Sequence, residues 1–285
     1  MTSFGARVEK ALTTFGPLCV GIDPHESLLR EWGVDASPDG ARFFGLRVVE
    51  AAAGTVGIVK PQVAFFERYG SAGFVALEAV LDAARQAGLI VIADAKRGDI
   101  GSTMDGYAAA WLEPGSPLES DAVTVSPYLG TGSLRATLTT AIRNDKGAFV
   151  LAATSNPEAF ALQSAQVVDV EAPDGHTVAE RIARDVGVWN ASPAFDGSLG
   201  PIGLVVGATV DRAAFGLTDA ALRGAPILAP GFGAQGAEPG ELARLFGPAA
   251  PQVIASESRS ILSAGPGGIA ERIRERAAMY GGDRG

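Results

Sequence analysis

One stretch decides the fold of this chain: LIVIADAKRGDIGST, residues 89–103. Its first five residues are apolar, and Asp94, Lys96 and Asp99 follow within six positions. A short apolar run bounded by charge and glycine is typical of a buried strand in a parallel sheet. Successive strand side chains point to opposite faces, so Asp94 and Lys96 are predicted to project the same way. Taken alone, the stretch fits equally a structural loop in which Asp99 or Ser102 caps the next helix.

The same kind of apolar run recurs along the chain, with helical patterns between the runs. There are eight of them, at residues 18–22, 56–59, 89–93, 122–125, 148–152, 202–206, 226–229 and 252–255. Eight alternations of strand and helix predict an α/β fold of the (β/α)8 or TIM-barrel type, whose usual size is about 250 residues. A doubly wound open sheet is the alternative, but no G-x-G-x-x-G pattern follows the first strand.

Two segments depart from this alternation. An amphipathic helix is predicted at residues 3–15, with Ser3 as its cap. The interval between the fifth and sixth strands has room for a helix at 178–190 and a long loop at 154–177. Loops of this length are either functional or loosely ordered. The sequence shows no domain boundary, internal repeat or low-complexity segment, so residues 1–285 are predicted to form a single barrel domain.

The overall composition excludes several classes of protein. The chain has 285 residues, of which 47% are hydrophobic and 19% charged, so it can bury a large core and is not disordered. Its 23 basic and 32 acidic residues give a net charge of −9, which argues against nucleic acid or an anionic membrane as a partner. Neither a basic and apolar leader nor a run of 18 apolar residues occurs, so a cytoplasmic location is expected.

Thiolate and histidine metal sites are not predicted. Cys19 is the only cysteine and lies within an apolar run, which excludes a disulfide framework. His25 and His176 are the only histidines, and neither belongs to a metal-ligand pattern.

Polar side chains follow most of the predicted strands. Singly, each has an ordinary explanation, such as a turn residue or a surface lysine. The carboxyl ends of barrel strands meet on one rim, where reacting residues of this fold lie, so the set as a whole indicates a site. The set comprises Asp23, Lys60, Asp94, Lys96, Ser126, the run Thr154-Ser155-Asn156, Gln235 and Arg259.

Two of these features favour a bound phosphate. Residues 230–236, PGFGAQG, form a glycine-rich turn whose backbone N–H groups can face an anion, and Gln235 adds an amide. Arg259, after the eighth strand, carries the fork-shaped donor that suits phosphate oxygens. An ordinary tight turn is the alternative for the glycine run. The loops after the seventh and eighth strands are, however, the usual phosphate site of a barrel.

Together, these residues resemble the orotidine 5′-phosphate decarboxylase family. The run DAKRGDI at 94–100 is similar to the family signature D-x-K-x-x-D. Further matches are Lys60 to the lysine of the second strand, Asp23 to the ribose-binding aspartate, Ser126 to the serine beside the pyrimidine, 230–236 to the phosphate loop, and Arg259 to the phosphate arginine. The resemblance covers residues 18–261, and the length and the run TSNP at 154–157 are similar to the longer bacterial subgroup. Many family members have Gly-Arg where this chain has Glu257-Ser258-Arg259.

The resemblance implies loss of CO₂ from orotidylate to give UMP, the last step of de novo pyrimidine biosynthesis, without a metal or other cofactor. The difficulty of this reaction is the carbanion left at C6 of the ring. Lys96 is the implied group that stabilises this charge and then protonates the carbon. Asp94 opposes the substrate carboxylate, and Asp94 and Asp99 keep Lys60 and Lys96 charged and oriented.

The resemblance also implies a homodimer whose sites are shared between subunits. Asp99, Ile100 and Thr103 then reach the site of the neighbouring subunit, as the second aspartate of the signature does in the family.

Two other functions stay open. A sugar-phosphate decarboxylase or aldolase of the same superfamily is similar in the signature and the phosphate loop, but uses Mg²⁺, and Lys60 disfavours a cation beside Asp94. A non-catalytic barrel that binds a phosphate ligand needs Gln235 and Arg259 but has no use for Lys96.

Overall fold

The computed structural model describes residues 2–169, 172–192, 195 and 199–281. Within these residues the strands are β1 Leu18–Ile22, β2 Ile58–Pro61, β3 Ile90–Arg97, β4 Ala122–Val125, β5 Gly147–Ala153, β6 Gln166–Asp169, β7 Ala172–Thr177, β8 Ile202–Val206, β9 Ile227–Pro230 and β10 Val253–Glu257. The helices are α1 Phe4–Phe15, α2 Glu26–Glu31, α3 Pro38–Ala52, α4 Ala64–Glu67, α5 Gly70–Gln86, α6 Gly101–Leu112, α7 Arg135–Arg143, α8 Ala159–Gln163, α9 Val178–Asn190, α10 Asp219–Leu222, α11 Leu242–Phe246, α12 Arg259–Leu262 and α13 Gly265–Met279. In the part of the chain described, no helix is long and apolar enough to cross a membrane, and the cytoplasmic location stays a prediction.

Eight of the strands close into a parallel barrel in the order β1-β10-β9-β8-β5-β4-β3-β2. β1 pairs with both β2 and β10, with Val20 opposite Val59 on one side and Glu257 on the other. Closure leaves no sheet edge, so the (β/α)8 barrel is confirmed and the open doubly wound sheet is excluded. Each of the eight predicted apolar runs overlaps one barrel strand.

Side chains of the barrel strands alternate between two apolar layers. Those that face the barrel interior, such as Ile58, Ile92 and Phe149, pack with one another and with α1. Those that face outward, such as Val59 and Val91, pack beneath the surrounding helices. Because both faces of each strand are buried, the strands appear in the sequence as continuous apolar runs.

Helix α1 closes the amino-terminal end of the barrel. Ser3 caps the helix through a hydrogen bond from the Ala6 N–H, at 3.3 Å. The Phe4 ring is fully buried, which stabilises the fold by about 2 kcal/mol, and it meets the Phe149 ring edge-on at 6.1 Å. A Cβ at Gly147 would lie 2.3 Å from the Phe4 ring, so only glycine allows this contact. A ligand therefore reaches the barrel interior from the carboxyl end.

The segment 154–177, predicted as one long loop, contains regular secondary structure. It contains α8 and an antiparallel hairpin of β6 and β7, in which Gln166 lies opposite Thr177. The Gln163 side chain ties α8 to the barrel, since its Oε1 accepts the Thr154 N–H at 2.8 Å. Val168 of β6 is 98% exposed, so no buried apolar stripe marked this strand in the sequence.

Candidate active site

A cavity of about 530 Å³ opens at the carboxyl end of the barrel. Inward-facing apolar side chains, including Leu151, Val205 and Leu228, form its lower wall. Nine of the polar residues predicted from the sequence line it: Asp23, Lys60, Asp94, Lys96, Thr154, Ser155, Asn156, Gln235 and Arg259. Strands β1, β2, β3, β5, β9 and β10 and the loops that follow them bring these nine together.

The inward positions nearest the open end are polar on four strands. They are Lys60 on β2, Asp94 on β3, Thr124 on β4 and Ser256 on β10. Each lies two positions beyond an apolar residue of the barrel interior, so strand alternation alone directs these side chains into the cavity. All four residues are buried, and buried charges require partners.

The Asp94 carboxylate receives three hydrogen bonds. Lys60 Nζ donates to Oδ2 at 2.9 Å, Lys96 Nζ to Oδ1 at 2.6 Å, and the Thr124 hydroxyl to Oδ1 at 2.9 Å. Burial by itself raises the pKa of Asp94, but the charges of Lys60 and Lys96 outweigh it and hold that pKa well below its usual range. The carboxylate is therefore ionised throughout the neutral range.

Lys60 is the buried partner of this carboxylate. Burial lowers the pKa of its ammonium, yet the charges of Asp94 and Asp23 outweigh burial, and the pKa is raised. Its side chain is only 7% exposed, whereas that of Lys96 is 47% exposed. The Lys96 side chain is therefore accessible in the cavity, whereas Lys60 is enclosed beside Asp94.

The backbone at Lys96 is left-handed, with φ of 47°. A residue with a Cβ is disfavoured there, and such positions persist only when the surroundings impose them. The register between β3 and β4 shifts between Ala93 and Arg97, and the Lys96 N–H is bound by Thr124 Oγ1 at 2.9 Å. The regular strand assumed from the sequence is thus wrong at Lys96, although Asp94 and Lys96 do face the same cavity.

Thr124 is a site residue that the sequence reasoning missed. Its hydroxyl accepts from the Lys96 backbone and donates to the Asp94 carboxylate, so it connects the two. The available signal was a hydroxyl in the middle of the apolar strand Ala122–Val125, two positions before Ser126. Gln62, which lies two positions beyond Lys60, was also missed; its side chain donates to the Asp94 carbonyl at 3.3 Å.

Replacing Thr124 by valine is expected to lower the free energy of unfolding by about 1–3 kcal/mol, because the Lys96 N–H loses its partner. Thr137→Val is the matched control: Thr137 is equally buried, and its hydroxyl has no partner in the described residues. That change is expected to be neutral or stabilising. Urea unfolding of both variants measures the difference, and equal losses would contradict the role given to the Thr124 hydroxyl.

Asp23 lines the cavity, and one of its two carboxylate oxygens has a hydrogen-bond partner in the described residues. The Ser258 hydroxyl donates to its Oδ2, because β1 and β10 are neighbours and their following loops meet. Its Oδ1 is buried and has no partner among the residues described. A buried acceptor of this kind is normally satisfied, so a ligand hydroxyl is the group expected there.

The glycine-rich turn 230–236 is shaped by positive φ angles, 118° at Gly231, 70° at Gly233 and 105° at Gly236. The Gly233 N–H donates to the Ala237 carbonyl at 2.7 Å, which fixes the turn. Within the described part of the chain, the N–H groups of Ala234 and Gln235 have no hydrogen-bond partner. These donors and the exposed Arg259 form a site suited to an anion.

Ser126 lies outside this cavity. It lines a neighbouring cavity of about 550 Å³, and Leu151 and Gln163 border both. Asp99, Ile100 and Thr103 also lie outside, in the following loop and first turn of α6. Asp99 Oδ1 accepts the Ile100 N–H at 2.8 Å, and Ile100 is 62% exposed. The cavity therefore contains none of these four predicted residues.

The single cysteine and the two histidines, for which the sequence predicted no metal site, lie in three different surroundings. Cys19 is buried in the barrel interior, and burial raises the pKa of its thiol to about 12, so it stays protonated. His25 lines the cavity, and its Nδ1 lies 2.9 Å from the Ser27 hydroxyl. His176 pairs with Glu180 at 3.3 Å. Across the described ranges, no group of three His, Cys, Asp or Glu side chains is placed to hold a metal ion.

The family model of the orotidine 5′-phosphate decarboxylase / HUMPS family matches residues 16–271. The chain belongs to this family. It is 48% identical to the orotidine 5′-phosphate decarboxylase of Salinispora tropica, over 99% of this chain and 100% of that protein. It is also 48% identical to the orotidine 5′-phosphate decarboxylase of Corynebacterium glutamicum, over 93% of this chain and 92% of the relative.

Solved structures agree with this family assignment. The crystal structure of a candidate orotidine 5′-phosphate decarboxylase from Streptomyces avermitilis matches with a TM-score of 0.90 and 45% identity, over 98% of this chain and 95% of that chain. The Leishmania donovani OMP decarboxylase matches with a TM-score of 0.75 and 29% identity, over 99% and 100% of the two chains. The barrel and its connections are thus those of the orotidine 5′-phosphate decarboxylase family.

Proposed function

We propose that this chain decarboxylates orotidine 5′-phosphate to UMP, the last step of de novo pyrimidine biosynthesis. The observation that carries the proposal is the meeting, in one cavity, of a Lys60–Asp94–Lys96 charge cluster and an anion site. The curated relatives that match nearly the whole chain are named for this activity.

The cavity provides a place for each part of the nucleotide. The glycine turn 230–236, Gln235 and Arg259 bind the phosphate, and the free Asp23 Oδ1 accepts a ribose hydroxyl. The orotate ring then lies towards Asp94 and Lys96. Phosphate binding occurs far from the bond that breaks, so its energy serves to orient the ring and close the loops.

Lys96 carries the chemistry. Loss of CO₂ leaves an electron pair on C6, with no adjacent carbonyl to delocalise it. An ammonium held at that carbon stabilises the developing charge and then transfers its proton to C6. Arginine could not replace it, since a guanidinium does not give up its proton in this pH range.

Asp94 acts on the substrate carboxylate and on Lys96. Two like charges 4 Å apart repel by roughly 4 kcal/mol at an effective dielectric constant of 20. This repulsion opposes the bound substrate more than the transition state, in which CO₂ is leaving. The hydrogen bond at 2.6 Å also orients the Lys96 ammonium beside Asp94 in the cavity.

The active unit of this proposal is a homodimer with shared sites. Asp99, Ile100 and Thr103 are on the surface, where they reach the cavity of a second subunit rather than their own. Ile100 itself is 62% exposed, and Tyr128, in the loop after β4, is 77% exposed. The loop after β3, which carries Ile100, meets the loop after β4, which carries Tyr128, at Gly98. A Cβ at Gly98 would lie 2.6 Å from the Ser126 carbonyl. Exposed apolar clusters of this kind support a protein interface.

A direct test is turnover of orotidylate, measured by its ultraviolet absorbance change, with and without a chelator. Full activity is expected in excess EDTA, because an ammonium and not a metal ion stabilises the carbanion. The Mg²⁺-dependent sugar-phosphate enzymes of the superfamily would instead lose activity in EDTA and regain it with added Mg²⁺. Such behaviour, or the absence of any turnover, would overturn the proposal.

A further inference from the structure

Glu257 is a fully buried carboxylate that lies two positions before Arg259. It faces outward from β10, away from the cavity, because the preceding Ser256 faces inward. Four donors satisfy it: Arg276 Nε at 2.8 Å and Nη2 at 2.9 Å, the Tyr280 hydroxyl at 2.7 Å and the Ser260 hydroxyl at 2.6 Å. Its charge is thus balanced by the bidentate Arg276 and does not act on the cavity as an unpaired negative charge.

The same cluster supports the glycine turn from behind. A Cβ at Gly233 would lie 2.5 Å from the Ser260 Oγ and 2.9 Å from Glu257 Oε2, so the turn packs directly on this pair. The Phe232 ring meets the Tyr280 ring at 5.8 Å, nearly edge-on. The C-terminal end of α13 is therefore connected to the turn by both a ring contact and the shared carboxylate.

We propose that Glu257, held by Arg276 and Tyr280, is a positioning residue for the phosphate group of the substrate. It fixes Gly233 on one side and the start of α12, with Arg259, on the other, so one carboxylate sets the distance between the two phosphate-binding segments. This rests on the phosphate-binding function proposed above. It also accounts for an acidic residue so close to a phosphate site: the carboxylate belongs to the support of the site and is not exposed to the ligand.

Tyr280→Phe is the mildest test, because it removes one hydrogen bond to Glu257 and keeps the ring against Phe232. We expect the dissociation constant of UMP to rise about three- to tenfold, while that of uridine, which lacks the phosphate, stays unchanged. Titration calorimetry with each nucleotide measures both values. Tyr69→Phe is the matched control, because the buried Tyr69 hydroxyl has no partner in the described residues. It should leave both constants as they are.

Glu257→Gln is the second variant, and it should reduce the preference for UMP over uridine at least as much as Tyr280→Phe does. Thermal unfolding shows whether each variant is folded. If the variants bind UMP and uridine more weakly by the same factor, or if Tyr280→Phe leaves the dissociation constant of UMP unchanged, the cluster has only a structural role and this inference is overturned. A wild-type chain that does not prefer UMP to uridine would instead refute the proposed phosphate site itself.

Discussion

Lys96→Ala is expected to abolish orotidylate turnover while the chain still binds UMP. Removing the ammonium removes both the charge that stabilises the carbanion and the proton that quenches it, a loss of about 10⁴-fold or more in kcat. The phosphate and ribose contacts lie elsewhere in the cavity and are unchanged. Ultraviolet assays of turnover and titration calorimetry with UMP separate the two effects.

Two further variants sharpen this experiment. Lys96→Arg keeps a positive charge beside Asp94 but cannot supply the proton, so its kcat is expected to stay close to that of Lys96→Ala. Lys10→Ala, on the exposed face of α1 at the closed end of the barrel, is the control and should keep full activity. Substantial turnover by Lys96→Ala would remove Lys96 from the mechanism.

The barrel could be predicted from the sequence because its strands are buried on both faces. Runs such as 18–22 and 202–206 coincide with β1 and β8, since each strand has to be apolar throughout. The hairpin in 154–177 lies outside the barrel, and its exposed Val168 follows no burial pattern. Periodicity reports burial, so it identifies the barrel and overlooks the hairpin.

The candidate site was predictable to the extent that strand alternation controls it. Asp94 and Lys60 occupy inward positions that follow directly from the pattern of each strand. The left-handed backbone of Lys96 depends on where β4 places Thr124, and that register is a property of the assembled sheet. Likewise, the partner of Glu257 lies 19 residues away on α13, a contact that no local spacing indicates.

Mixing Asp99→Asn with Lys96→Ala protein is expected to restore activity that neither variant has alone. In a two-fold symmetric dimer, one of the two mixed sites combines the intact Lys96 of one subunit with the intact Asp99 of the other. Random exchange of an equal mixture makes half of the dimers mixed, and each mixed dimer has one functional site of two. About a quarter of all sites are then functional, so the expected turnover is about a quarter of that of the wild-type protein. Orotidylate turnover after exchange, with dimer mixing shown by differently tagged chains, measures this recovery.

The matched control is a mixture of Lys96→Ala with Asp94→Asn. Lys96 Nζ lies 2.6 Å from Asp94 Oδ1 within one chain, so both residues of a site come from the same subunit. No site in a mixed dimer then has both residues intact, and no recovery is expected. Recovery in the first mixture but not in the second can arise only if Asp99 serves the site of the other chain. If exchange is complete and neither mixture regains activity, the surface position of Asp99 has another cause, and the shared-site arrangement fails even if Lys96 proves essential.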